Sequence, residues 1–234
     1  MVGKSKLPTS SGGKAVADFI AKVKSMPAVR PAGQAGRLIF ALDATASREP
    51  TWDRACRIQG EMFLATRGLG GLEVQLVWYR GLGEFDASPW FVDSKALVAR
   101  MTAVHCRGGE TQIARVLRHA IAETKRRKVN ALVFVGDCVE ESVDTLCQLA
   151  GELGLLGVPA FIFHEGGETL ARRCLEEVAR LTGGAYCPFD SASPDALRDL
   201  LAAVATFAAG GRPALEDFAK RRGGAALLLT HRMR

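Results

Sequence analysis

No stretch of this sequence approaches the roughly 18 uninterrupted apolar residues that a membrane-spanning helix needs, and no apolar run near its start has the make-up of a secretory signal. Both absences predict a soluble protein. The six cysteines (Cys56, Cys106, Cys138, Cys147, Cys174 and Cys187) include no CxxC pair, so a reduced, cytoplasmic setting fits them best. Nucleotide signatures are missing as well. "GLGGLE" at Gly68 to Glu73 lacks the passage from strand into helix that a GxGxxG dinucleotide site demands, and there is no Walker sequence. Aromatic residues do not interleave with the densest basic runs, "KRRK" at Lys125 to Lys128 and "AKRR" at Ala219 to Arg222. The stacking surface of a single-strand nucleic-acid binder is therefore lacking despite a net charge of +6, and a nucleic-acid partner is not expected. The first run is placed to close a helix, where cations offset the negative end of the dipole.

What remains is ordinary globular material. With 234 residues, 48% of them hydrophobic and 24% charged, the chain reads as one large domain with short extensions. Residues 1–36 read as a basic flexible tail, a short amphipathic helix carrying Val16, Phe19, Ile20 and Val23, and a connector punctuated by Pro27, Pro31, Gly33 and Gly36. The domain proper is expected over residues 37–211. Residues 212–234 read as a C-terminal extension whose Ala225 to Leu229 stretch packs as a last strand or helix turn.

Inside residues 37–211 the pattern alternates. "RLIFALD", "NALVFVGD" and "VPAFIFHE" are continuously apolar, as strands covered on both faces must be, and a small strand is expected at Ala185 to Cys187. "LEVQLVWYRG" alternates as a further strand, and "EFDASPW" lies beside it with Pro89 marking an edge. Helical spacing covers Trp52 to Thr66, Ser94 to Met101, Gln112 to Arg127, Ser142 to Leu153, Thr169 to Leu181 and Pro194 to Ala209. Parallel crossovers need helices, and those helices hide both faces of the sheet. The expected fold is therefore α/β: a three-layer, doubly wound, Rossmann-like domain whose mostly parallel sheet has one antiparallel edge strand.

Functional crevices of such sheets lie at the carboxyl ends of the parallel strands. There the sequence places Asp43, Thr45 and Ser47 of "RLIFALDATASREP", Asp137 at the end of "NALVFVGD", and Thr111 after Gly108 and Gly109. Each has a commoner use: Ser47 can cap the helix beginning near Pro50, Thr111 the helix after it, and Asp137 can hold loop amides. Their joint occurrence at one sheet edge is what singles them out. Residues 43, 45 and 47 of an extended loop turn their side chains to one side, and all five donors are hard oxygens. Such a set selects Mg2+, or Mn2+ or Ca2+, over zinc or copper, and Mg2+ would keep room for water or a partner's oxygen.

In these residues the chain resembles the von Willebrand factor A (VWA) family and its metal-ion-dependent adhesion site, written DxSxS, then a Thr, then an Asp. The corresponding stretches are "DATAS", "GGET" and "FVGD", and the resemblance runs from Arg37 to about Gly211. It implies that the Thr45 and Ser47 hydroxyls bind the cation directly, that Asp43 and Asp137 bind directly or through water, and that Thr111 alternates between the two. It implies too that a protein partner completes the shell with an exposed Asp or Glu, and that an intracellular bacterial member acts as an adaptor for an ATPase-type assembly. Thr45 stands where Ser is commoner, and Cys138 where glycine is frequent.

Other candidates carry less. His105 beside Cys106 lacks an orienting third group, and neighbours in sequence seldom face each other. His164 and Glu165 follow a parallel strand, where they either flank the site or belong to a surface loop, and Glu140 and Glu141 read as first-turn acids of the helix after them. Three functions follow: a non-enzymatic, metal-dependent protein-interaction module; a metal-dependent hydrolase drawing on His164 or Glu165; or a basic nucleic-acid scaffold with a degenerate metal site.

Overall fold

The computed structural model describes residues 18–19, 21–22, 35–66, 69–189 and 194–221. Six strands form one sheet in the order β3-β2-β1-β4-β5-β6: β1 Gly36–Asp43, β2 Leu72–Arg80, β3 Glu84–Phe91, β4 Ala131–Gly136, β5 Ala160–Glu165 and β6 Ala185–Phe189. All neighbours run parallel except β3, which pairs antiparallel with β2 at the edge. The expected three-layer, mostly parallel α/β sheet with one antiparallel edge strand is thus present, and Pro89 lies on that edge strand, where its missing N–H breaks no central ladder.

The helices are α1 Glu49–Ile58, α2 Gly60–Thr66, α3 Ser94–Thr102, α4 Ile113–Arg126, α5 Val143–Leu155, α6 Thr169–Leu181 and α7 Pro194–Arg221. Side chains of a strand alternate between faces, and β1, buried at every position, shows what that does. Leu38, Phe40 and Leu42 join the core packed by Trp52 of α1, Met62 of α2, Leu97 of α3 and Leu200 of α7. Ile39 and Ala41 join the opposite core, packed by Leu117 of α4, Leu146 of α5 and Leu175 of α6.

Two details depart from the sequence reading. The single helix expected over Trp52 to Thr66 is two, interrupted at Gln59. Gly60, which costs a helix interior about 1 kcal/mol relative to Ala, sits at the break. The last helix runs past Ala209 to Arg221, interrupted only by Gly211 in the left-handed region (φ 68°), and beyond it Leu215 and Ala219 are buried. The Ala225 to Leu229 stretch lies outside the described residues, as do most of residues 1–36. Of the expected amphipathic helix, residues 18, 19, 21 and 22 are helical, and Phe19 packs edge-on against Phe161 and Phe163 with ring centroids 5.8 and 5.5 Å away.

Candidate metal centre

The sheet order reverses beside β1, because the chain leaves β1 for β2 on one side and returns to β4 on the other. That is the switch point at which α/β sheets open a crevice. Leu42 pairs with Val135 there, so Asp43 ends β1 beside Gly136 and Asp137 follows immediately in the next loop. A side chain at position 136 would bring its Cβ to 2.7 Å from the Phe134 ring, so glycine leaves that ring its place at the end of β4.

Asp43, Thr45, Ser47, Thr111 and Asp137 all line a single cleft of about 280 Å3, together with Gly108, Gly109, Cys138 and Glu140. The fold thus brings together every residue the sequence had singled out as a metal donor. Asp43, Thr45 and Thr111 are buried at the floor, Asp137 is half-buried, and Ser47 lies at the exposed rim. The Thr45 and Ser47 hydroxyl oxygens are 3.3 Å apart, and Ser47 Oγ donates to Asp137 Oδ2 at 3.1 Å. None of the commoner uses holds. Ser47 lies within a 3-10 turn, Ala46–Arg48, and the position before α1 is Arg48, with no side-chain cap. Gln112, not Thr111, precedes α4.

Asp43 sits differently from Asp137. It is 2% exposed; its Oδ1 accepts from the Thr45 amide at 2.7 Å and its Oδ2 from the Tyr79 hydroxyl at 3.2 Å. No ion pair among the described residues includes it. Burial pushes its carboxyl above the ordinary range, against the pull of the Thr45 hydrogen bonds and with Asp137 adding repulsion. Tyr79 is fully buried, and burial with the neighbouring Asp43 holds its phenol protonated far above its usual value.

The Thr111 loop is fixed from three directions. Thr111 Oγ1 accepts from the Glu140 amide at 3.0 Å while Glu140 Oε2 accepts from the Thr111 amide at 2.8 Å. Glu110 N donates to Gly81 O, and Gln112 Nε2 donates to Arg80 O and Glu84 O, which ties the loop to the β2–β3 hairpin. Gly109 lies so close to that hairpin that an added Cβ would stand 2.2 to 2.4 Å from the Gly81 backbone.

Glu140 and Glu141 do not serve the helix that follows them. Glu141 reaches across to the start of α4 and accepts from the Ile113 amide at 2.5 Å and the Ala114 amide at 2.9 Å. It satisfies two of the four unpaired donors of that helix and sets a negative charge at the positive end of its dipole. Replacing it with Ala is expected to cost about 1–2 kcal/mol in urea unfolding. Glu141→Gln, which keeps one acceptor, should lose less; equal losses would mean that packing rather than capping holds the loop.

His164 and Glu165 are buried at the end of β5, not displayed on a surface loop. Both His164 nitrogens are engaged, Nδ1 with Tyr186 Oη at 2.8 Å and Nε2 with the Asp137 carbonyl at 3.0 Å. His164 therefore steadies the loop carrying Asp137. Cys106 does not pair with His105 as a nucleophile: burial pushes its thiol up to about 11, which keeps it protonated at neutral pH.

Arg48 was missed by the sequence reading although it directly follows Ser47. Its guanidinium lies 3.1 Å from Asp137 Oδ2 and 2.5 Å from Glu165 Oε2, and its Nε is 3.4 Å from Ser47 Oγ. Tyr79 was missed too; its register position opposite Asp43 on the adjacent parallel strand was the available signal.

No family model matches the sequence, and no curated protein does. Solved structures match the fold. A von Willebrand factor type A protein from Catenulispora acidiphila superposes with a TM-score of 0.61 at 16% identity, over 74% of this chain and 43% of that one. The SpRpn10 VWA domain gives 0.56 at 14% identity, over 71% of this chain and 94% of that one. Proximal thread matrix protein 1 from the mussel byssus, in a structure with a zinc-occupied MIDAS motif, gives 0.57 at 15% identity, over 74% of this chain and 46% of that one. This chain thus spans less than half the length of two of the three. The fold is VWA-like.

Proposed function

We propose that the cleft at the β1–β4 edge binds a divalent cation, Mg2+ or its hard relatives Mn2+ and Ca2+, through Asp43, Thr45, Ser47, Thr111 and Asp137. The observation that carries this reading is Asp43: a carboxylate 2% exposed, with two neutral donors and no cationic partner among the described residues, facing a cleft rich in hydroxyls. A buried charge left in that condition is costly, and a cation removes the cost. The donor set is all oxygen, as hard divalent ions prefer. Among the described residues no three His, Cys, Asp or Glu side chains gather as a metal-holding group, so the proposed shell draws on the Thr45, Ser47 and Thr111 hydroxyls as well as on two carboxylates.

The cation in turn would hold an exposed Asp or Glu of a protein partner, making the chain a metal-dependent interaction module without enzymatic chemistry of its own. The VWA-like fold of the solved neighbours supports this class of function, and the zinc-occupied MIDAS motif of the mussel protein supports cation binding at a site of this type. A hydrolase would need a free general base. His164 is buried with both nitrogens engaged, and Glu165 is held by Arg48 and Thr51, so neither is available. The basic run at Lys125 to Lys128 is absorbed locally: Lys125 pairs with Glu152, Arg126 with Glu123 and Arg127 with Glu73, while Lys128 donates to Leu156 O and Gly157 O. That weighs against a nucleic-acid surface. No helix among the described residues is long and apolar enough to cross a membrane. The six cysteines, with no CxxC pair among them, suit a reducing, cytoplasmic compartment, where an ATPase-type assembly is the partner class to try first.

The test is calorimetric titration of Mg2+ and Mn2+ into wild type and Asp43→Ala, followed by partner capture with and without chelator. Wild type should bind one ion and hold a partner that chelator releases, and Asp43→Ala should do neither while staying folded. Identical titrations of the two proteins would remove the basis for the module.

A further inference from the structure

We infer that Arg48 is a built-in counter-cation that competes with the divalent ion for Asp137, and that Glu165 is the second seat to which it withdraws when the ion binds. The inference rests on the cation-binding reading above.

The geometry is that of one cation shared between two carboxylates. Arg48 is anchored in the 3-10 turn that also carries Ser47, and its side chain is 13% exposed. One arm of the guanidinium meets Asp137 Oδ2 at 3.1 Å and the other meets Glu165 Oε2 at 2.5 Å, while Thr51 also donates to that Glu165 oxygen. Asp137 Oδ2 further accepts from Ser47 Oγ, the hydroxyl to which Arg48 Nε points at 3.4 Å. Two of the five proposed ligands, Ser47 and Asp137, are therefore already engaged with a positive group, whereas Asp43 is not.

A divalent ion and a guanidinium at one carboxylate oxygen repel each other in a partly desolvated cleft, where screening is weak. Arginine does not shed its charge, so it cannot yield by deprotonation. It yields by moving. Glu165 offers the seat: it is buried, fixed by Thr51, and able to take both arms of the planar fork once Asp137 is given to the metal. The pair sets the affinity of the site from outside the ligand shell. It keeps Asp137 compensated without metal and raises the concentration of ion needed to fill the cleft.

The test measures Mn2+ dissociation constants by calorimetry for wild type, Arg48→Ala, Glu165→Gln and the double variant. Arg48→Ala should tighten Mn2+ binding at least tenfold. Glu165→Gln, which leaves Arg48 wholly to Asp137, should weaken it several-fold. In the double variant the Glu165 effect should vanish, because the withdrawn cation is gone; simple field effects of two charges would instead add. An unchanged constant in Arg48→Ala, or additive effects in the double variant, overturns the competition while leaving cation binding intact. Binding seen only after removal of Arg48 supports it most directly. If neither wild type nor Arg48→Ala binds Mn2+, both the competition and the cation site fall.

Discussion

Mg2+ or Mn2+ at 100 times its dissociation constant is expected to stabilise the wild-type chain by about 2.7 kcal/mol and the Asp43→Ala chain by nothing measurable. For a chain of this size that corresponds to a rise of about 5–10 °C in Tm, read in a thermal melt with and without chelator. The reason lies in where Asp43 sits. Its pKa is raised above 3.8 by burial, so in the metal-free protein this carboxyl contributes to stability while it is protonated. That contribution is lost as pH rises from 3.8 through the folded-state value. Asp43→Asn cannot ionise and should not show the loss. A bound cation favours the carboxylate and reverses the sign, so wild type with metal should gain stability across the window in which wild type without metal declines. Equal Tm gains in wild type and Asp43→Ala would place the ion elsewhere.

Phe161→Ala is expected to destabilise the fold by about 3–5 kcal/mol in urea unfolding, the range for emptying a buried phenyl site. Phe161 is fully buried in β5 and meets two rings edge-on, Phe19 at 5.8 Å and Phe207 of α7 at 5.6 Å. It thus joins a residue preceding β1 and the last helix to an interior strand of the sheet. Phe19→Ala should cost less, since that residue lies outside the sheet. The double variant should fall short of the sum by about 0.5–1.5 kcal/mol, the coupling of an aromatic pair. Strict additivity would show that Phe19 does not share this site in solution.

The layers of the fold were legible because period and burial coincide in it. "RLIFALD" reads as a strand hidden on both faces, and every residue of β1 is buried. That Asp43, Thr45, Ser47, Thr111 and Asp137 share one cleft was legible for a related reason: a parallel sheet delivers the ends of its strands to one edge, so residues in the loops that follow those strands or lead into the neighbouring helix meet there. The partnerships across loops left no trace in the pattern. Glu141 caps a helix that ends 15 positions before it, and nothing in "CVEES" distinguishes that role from service to its own helix. Arg48 looked like one more basic residue, because only the assembled sheet brings Asp137 and Glu165 to either side of it. Helix lengths failed at Gln59 and Gly211, where a local break decides the direction of the chain while hydrophobic spacing continues through it.

The contact between Gly109 and Gly81 makes a mechanical link of two bare backbones. With no side chain between them to compress or repack, the hairpin at the antiparallel edge bears directly on the loop that presents Thr111. A protein gripping that hairpin from outside would therefore pull on the cleft without touching it, and its grip would be felt first as a change in how firmly Thr111 is presented.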